Sequence, residues 1–283
     1  MTAKAYAKIN LTLEVYGKRA DGYHELRSVV LPITLADTID IVPAEAGKIL
    51  TNSVYAENDL AVKALHALDH HCPTRPLMRS GLSVTIKKEI PEGGGLGGGS
   101  ADAAASLLAA NEIWNLNLSL EELASVGAKV GSDVPALVLA QSRRAAVLME
   151  GRGEKVSLLS EAVTKLPELQ GFFNPNAQIV LANPGVHSST AQTYAQCTER
   201  EGEGQGQLLF TNDLQQAACS LHPEIALSLA ALVAAGAKSV MMSGSGATVF
   251  GLAEDLNQAQ AICSTMQAIG CRTWITQPLL STL

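Results

Sequence analysis

The sequence predicts an α+β protein built as two domains, divided near residue 155 into segments 1–155 and 156–283. Its 283 residues are enough for two modest hydrophobic cores. Its strand-like and helix-like segments do not alternate as the βαβ units of a doubly wound sheet would. A glycine-rich loop opens into one helix that is followed by another helix, not by a strand.

In chain order, Ala5 to Val15 alternates loosely as a strand and runs into the turn-rich GKRADGYHEL. The β-branched runs Ser28–Leu31 and Thr38–Val42 predict two further strands. Asn58 is placed to cap a helix that reaches about His71. Leu82, Val84 and Ile86 alternate with Ser83 and Thr85, the pattern of a half-buried strand. PEGGGLGGGSADAAASLLAANEIW supplies the glycine loop and a helix of roughly four turns. Ser119 caps a second helix over Leu120–Val126, and Ala145–Met149 closes the first domain as a strand. Pro167, Pro175 and the nearby Asn residues make 160–176 a connecting loop. A strand at Gln178–Ala182 follows, then the loop EREGEGQGQ, which its composition predicts to be mobile. Helices start at Asn212 or Asp213 and at Pro223, which suits a first helical turn. The hairpin-like KSVMMSGSGATVFGLA, a helix after Asp255 and a strand at Arg272–Ile275 complete the second domain.

Composition narrows the function. Aromatics are only 4% of the chain, so the cores must rest on Leu, Val, Ile and Ala. The 27 acidic side chains outnumber 20 basic ones, the opposite of a bulk nucleic-acid binder. An anionic small ligand must then be held by a few local cations and backbone amides. The five cysteines are odd in number and form no C-x-x-C pair, which reads as free thiols in a reducing compartment. MTAKAYAKINL lacks the apolar stretch of a signal peptide, and the apolar run Ile225–Ala237 is too short for a bilayer. A cytoplasmic protein with no membrane or nucleic-acid partner is expected; the sequence leaves its oligomeric state open.

Six of the seven residues from Gly93 to Gly99 are glycine. Ordering such a run costs up to about 1 kcal/mol per residue relative to Ala, so the backbone must come close to something. The helix behind it offers free N–H groups and the positive end of its macrodipole, which suits phosphate. Gly93–Gly98 fits the dinucleotide fingerprint G-x-G-x-x-G, but a second strand with an acidic residue does not follow. A Gly-Lys-Ser/Thr triplet is missing, as are the protein-kinase signatures V-A-I-K, H-R-D and D-F-G. The loop is therefore expected to bind phosphate with charge supplied from elsewhere in the chain.

Three motifs taken together resemble the GHMP kinases: AKINLTLEVYGKRADGYHEL, PEGGGLGGGSADAAA and SGSGATVFG. GSDVP at Gly131–Pro135 and the segment Pro184–Tyr194 are similar to the branch whose substrate is a cytidine-diphosphate-linked methylerythritol. The resemblance implies a ribosomal-S5-like N-terminal domain, a ferredoxin-like C-terminal domain and a cleft between them. It implies transfer of a phosphoryl group from ATP to the 2-hydroxyl of that substrate, a step of non-mevalonate isoprenoid precursor synthesis. Lys8 and Asp133 match the catalytic pair of such kinases. Pro91, Glu92, Gly93, Gly94, Gly95, Leu96, Gly97, Gly98, Gly99, Ser100 and Ala101 match the ATP loop. Asn10, Tyr23, His24, Thr190 and Tyr194 match the substrate positions, and Ser243–Ala247 a second glycine loop that closes over the site. Mg²⁺ is expected on the ATP phosphates, with Ser100 a contact and no protein ligand set assigned. Glu121 and Glu122 read equally well as the solvated face of a helix.

Plainer readings stand beside these. Asp133 suits a turn or helix cap. Tyr23 and Tyr194 suit core packing, and His24 a turn. Lys8 is less ordinary, because a lysine in an apolar strand needs a partner. Kinases of homoserine, mevalonate or a sugar, a Rossmann-type enzyme and a non-catalytic nucleotide-binding module remain as alternatives.

Overall fold

The computed structural model describes residues 1–53, 58–72, 80–202 and 208–281. The first sheet is organised around one long strand. Strand β1 (Thr2–Asn10) and β2 (Glu14–Lys18) both pair antiparallel with β3 (His24–Ala44). After β4 (Ile49–Thr51) and helix α1 (Leu60–His71), β5 (Gly81–Lys87) pairs with the later half of β3, and β6 (Val147–Gly151) pairs with its earlier half. A last strand, β7 (Lys155–Leu158), pairs with β6.

The two strands expected at Ser28–Leu31 and Thr38–Val42 are thus one strand of 21 residues. Pro32 and the polar residues Thr34 and Asp37 suggest a break in the sequence, but the strand's neighbours accommodate them. Pro32 faces the bulge between Tyr6 and Lys8, where a missing N–H is tolerated. Conversely the single expected strand Ala5–Val15 divides, because β1 ends at Asn10 and β2 begins at Glu14. Lys155, the expected end of the first domain, opens β7, so the first sheet runs on to Leu158.

Helix α2 (Gly98–Ile113) lies at the centre of the first core, packed by α1, α3 (Leu120–Gly127), α4 (Val134–Arg143) and β1. Its alanines Ala101, Ala103, Ala104, Ala105, Ala109 and Ala110 are buried on every side, as expected of a helix with no solvent face. The start of α1 is capped by Asp59, whose carboxylate accepts from Ala61 N–H at 2.8 Å; the expected cap, Asn58, accepts from Lys63 instead. Ser119 and Glu122 form a reciprocal capping box on α3, which accounts for Glu122 without a metal.

The segment 160–176, expected as a loop, holds the short helices α5 (Glu161–Thr164) and α6 (Pro167–Gln170) and a 3-10 turn at Gly171–Phe173. It is fastened by Leu169 and Phe172, both buried. The second sheet is antiparallel, in the order β11 (Arg272–Thr276), β8 (Gln178–Asn183), β10 (Val249–Ala253) and β9 (Lys238–Met242). Helices α7 (Thr190–Ala195), α8 (Leu214–Leu221), α9 (Pro223–Ala234) and α10 (Leu256–Ala268) accompany it. Pro223 opens α9 and Asp255 caps α10, both as the sequence predicts. Of the loop EREGEGQGQ, residues 203–207 lie outside the described residues.

The two halves are sewn together. Leu13 N–H donates to Thr211 O and Asp213 N–H to Leu13 O; Thr34 N–H donates to Gln277 O and Leu279 N–H to Pro32 O, all between 2.8 and 2.9 Å. The Arg200 guanidinium grips Asp213 with two hydrogen bonds of 2.6 and 2.8 Å and reaches the buried Glu14 at 3.0 Å. Phe172, Phe210 and Phe250 form a cluster with ring centroids 5.7–6.5 Å apart. The five cysteines are all free thiols. Among the described residues no single helix is long and apolar enough to cross a membrane.

Candidate active site

A cleft of about 1290 Å³ runs between the glycine loop, the turn before β3 and the segment around α7. Its floor is set by β1. The register of β1 against β3 shifts between Tyr6 and Lys8, a bulge that re-aims the strand's side chains. Lys8, 3% exposed, then places Nζ 3.2 Å from Asp133 Oδ2 and 2.6 Å from Asn10 Oδ1. Asp133 occupies the cap position of α4 but makes no capping hydrogen bond. Its carboxylate faces Lys8 instead, which removes the plainer reading of Asp133 as a cap.

Asn10 is buried and fully engaged. Its Oδ1 accepts from Lys8, and its Nδ2 donates to Ser28 Oγ at 2.8 Å. Ser28 Oγ in turn donates to Thr12 O. This chain fixes the amide so that its oxygen faces the ammonium.

The glycine loop ends at Gly97, in the left-handed region at φ 69° and the cap of α2. The first intrahelical bond, Ala101 N–H to Gly97 O at 2.8 Å, leaves the N–H groups of Gly98, Gly99 and Ser100 without helical acceptors. Those groups line the cleft at the positive end of the helix dipole, an arrangement that suits an anion. Ala101, expected within the loop, is buried inside α2 and offers no side chain to the cleft. The close approach required of the glycines is also to the protein itself. A Cβ on Gly95 would stand 2.1 Å from Ser243 O, and one on Gly97 3.0 Å from Lys8 Cε. Ser243 Oγ donates to Gly95 O at 3.0 Å, so the two glycine loops are docked on each other. Asn212 Nδ2 holds the second loop through Met242 O and Gly244 O.

Gly97→Ala should therefore act on Lys8. Left-handed strain costs roughly 1–2 kcal/mol for a residue with a Cβ. Displacing the Lys8 ammonium by up to an ångström should lower kcat roughly 10- to 100-fold. Steady-state kinetics beside thermal melts would separate the two; a raised KM for ATP with kcat intact would mean that Lys8 is not disturbed.

At the other end of the cleft His24 stacks on Tyr194, with ring centroids 5.1 Å apart and planes at 25°. His24 Nε2 lies 3.2 Å from Glu199 Oε1. Burial first, then the charge of Asp133, raises the Tyr194 phenol well above its ordinary value, so it stays protonated. Tyr23 is 49% exposed, and the Arg152 guanidinium lies 5.0 Å over its ring. Thr190 Oγ1 is 2.8 Å from Ser245 Oγ, on the second glycine loop.

Beneath α2 lies a cluster that the sequence did not signal. Lys88 Nζ sits 2.5 Å from Asp37 Oδ2 and 2.6 Å from Asp102 Oδ2. Asp37 is fully buried and also accepts from the N–H groups of Glu89 and Ile90. Burial pushes the Asp102 carboxyl up to about 7 against the opposing pull of Lys88. Among the described residues Asp102 Oδ1 has no hydrogen-bond partner. The visible clue was Asp102, an acid among the buried alanines of the helix's first turns.

Among the described residues no three His, Cys, Asp or Glu side chains gather into a set that could hold a metal. Ser100 Oγ lies beside Gly131, 3.7 Å from where a Cβ there would stand, on the segment that carries Asp133. Ser100 and Asp133 both line the cleft, and oxygen donors of this kind suit an ion carried mainly by other ligands. They do not form a closed metal cage. The glycine loop after β5 leads through α2, α3 and α4 to β6, which pairs antiparallel with β3 and β7 and not with β5, so the βαβ unit of a Rossmann site does not follow the loop.

A glycine cradle set across one cleft from a lysine–aspartate pair is the equipment of a small-molecule kinase. The family model described as GHMP kinases N terminal domain matches residues 59–141, and the one described as GHMP kinases C terminal matches residues 196–270. A 4-diphosphocytidyl-2-C-methyl-D-erythritol kinase of Exiguobacterium sibiricum is 35% identical over 98% of this chain and 97% of its own. The protein of the same name from Moorella thermoacetica is 36% identical, with 99% of each chain covered. A crystal structure of 4-(cytidine 5'-diphospho)-2C-methyl-D-erythritol kinase superposes with a TM-score of 0.78 at 29% identity, covering 98% of this chain and 99% of that one. A mevalonate kinase structure shares the fold at a TM-score of 0.69 and 14% identity. The chain belongs to the GHMP kinases and, within them, to the 4-diphosphocytidyl-2-C-methyl-D-erythritol kinase family. It is an ATP-dependent small-molecule kinase.

Proposed function

We propose that the protein phosphorylates the 2-hydroxyl of 4-diphosphocytidyl-2-C-methyl-D-erythritol, releasing ADP, in non-mevalonate isoprenoid precursor synthesis. The observation that carries this reading is that the aromatic group of Tyr23, His24 and Tyr194 lines the same cleft as the Lys8–Asp133 pair and the glycine cradle. A substrate with a base at one end and a hydroxyl at the other suits that arrangement; a small alcohol without a base has no use for the rings.

The ATP phosphates lie on the amides of Gly98, Gly99 and Ser100. Asp133 takes the proton of the attacking hydroxyl, and Lys8 stabilises the negative charge and holds Asp133 ionised. Asn10 contributes by fixing Lys8, since both ends of its amide are occupied. Ser100 would contact a Mg²⁺ carried on the phosphates, where the ion would neutralise phosphate charge. ADP release measured with this substrate beside mevalonate, homoserine and galactose tests the reading. Turnover of one of the others alone, or ATP binding without turnover of any, overturns it.

Base identity is read by His24. Its Nε2 is engaged by Glu199, which leaves Nδ1 to accept from the exocyclic amine of cytosine. Stacking on Tyr194 is worth roughly 1–3 kcal/mol and tolerates any base. Tyr194→Ala should weaken cytidine and uridine forms of the substrate equally, and His24→Ala should erode the preference between them. Competition assays with both forms check this; if Tyr194→Ala raises KM for ATP instead, the two nucleotides occupy the opposite ends.

A further inference from the structure

Four permanently cationic side chains line the cleft among the described residues: Lys8, Lys18, Lys88 and Arg152. Two are already committed. Lys8 is paired with Asp133, and Lys88 with Asp37 and Asp102. Lys18 is exposed at the end of β2, opposite His24 in the strand pairing and so at the base end of the cleft. Arg152 differs from all three: it is half-buried, and no carboxylate of a described residue forms an ion pair with it.

Its position is fixed from three directions. The guanidinium lies over the Tyr23 ring at 5.0 Å. The Arg152 backbone N–H donates to Glu154 Oε2 at 2.6 Å. The next residue, Gly153, takes φ 114° and presses so closely on Ser132 that a Cβ would stand 2.2 Å from its carbonyl oxygen. Ser132 immediately precedes Asp133. Arg152 is thus tied on one side to the aromatic end of the cleft and on the other to the segment bearing Asp133. A guanidinium stacked by its face keeps its edge donors free, and that edge matches two phosphate oxygens at once.

We propose that Arg152 binds the diphosphate that joins the base to the sugar alcohol of the acceptor substrate. This rests on the function proposed above: with the base at Tyr23 and the reacting hydroxyl at Asp133, the linking diphosphate must cross the stretch between them, and Arg152 stands there uncompensated. In a chain of net charge −7, a doubly charged linker needs such a cation.

The test is calorimetric titration of the full chain with CDP and with cytidine, the nucleotide site filled by a non-hydrolysable ATP analogue, and separately with ADP. A charged hydrogen bond lost from a bound phosphate weakens binding roughly 10- to 100-fold. Arg152→Gln should therefore weaken CDP by that factor, while cytidine and ADP change by less than about threefold. Arg152→Lys should recover part of the CDP affinity, because it restores charge without the fork. Equal weakening of CDP and cytidine would reduce Arg152 to a support for Tyr23 and overturn the proposal, as would unchanged CDP binding. Loss of ADP affinity would assign the cation to the donor nucleotide and overturn it too. If the unaltered protein binds neither cytidine nor CDP, the base-binding reading itself falls, an outcome distinct from every one above.

Discussion

Asp133→Asn should lower kcat by roughly 10²–10⁴, the usual worth of a positioned general base, and leave KM for ATP nearly unchanged. In free energy that is about 3–5 kcal/mol of transition-state stabilisation. The substitution is close to isosteric, and the geometry explains why it should be selective. Asp133 makes no capping hydrogen bond, so α4 does not depend on its charge. Lys8 keeps its bond to Asn10 Oδ1, so the ammonium stays in place when its carboxylate partner is neutralised. Single-turnover and steady-state rates with saturating ATP measure the effect. Near-native kcat would exclude Asp133 as the base.

Lys88→Met should lower stability by about 3–5 kcal/mol, because it strips two buried carboxylates of their cation. Asp37 would keep its two backbone donors, but Asp102 would be left with neither the ammonium nor a partner for Oδ1. The pH dependence has a definite sign. Burial already holds Asp102 up at about 7, above its ordinary 3.8. Between those values the folded state binds more protons than the unfolded chain, so stability falls as pH rises through this window. Without Lys88 the opposition to that rise is gone, and the decline should steepen and extend above pH 7. Thermal melts of both proteins across pH 5 to 9 would show it; parallel curves would mean that the cluster is solvated in solution.

Much of the site was legible because its chemistry is local in sequence. A run of glycines launching a long helix declares close approach and phosphate. A lysine inside an apolar strand demands a carboxylate, and Asp133 supplies it. What escaped depends on contacts between distant segments. Lys88 sits in KKE, which reads as a solvated end of a strand, and its partners are 51 and 14 residues away. Arg152 lies in the turn of a hairpin whose second strand, β7, is four residues long and too weakly patterned to predict. The continuity of β3 was hidden for a related reason. Its middle carries Pro32, Thr34 and Asp37, which meet the bulge of β1, Thr276 and Lys88 in turn, so alternation fails where distant segments meet.

The hydrogen bonds that sew the two halves together bear on how substrates enter and leave. A hinged kinase opens by bending a few residues between otherwise separate bodies. Here Leu13, Pro32 and Thr34 of the first half pair through their main chains with Thr211, Asp213, Gln277 and Leu279 of the second, and the Arg200–Glu14–Asp213 clasp lies alongside. Swinging the halves apart would rupture these bonds together. Traffic through the cleft must then be gated at its rim, by segments that can shift without breaking the seam. Product escape becomes a matter of small local rearrangements, and mutations along the seam should alter unfolding far more than turnover.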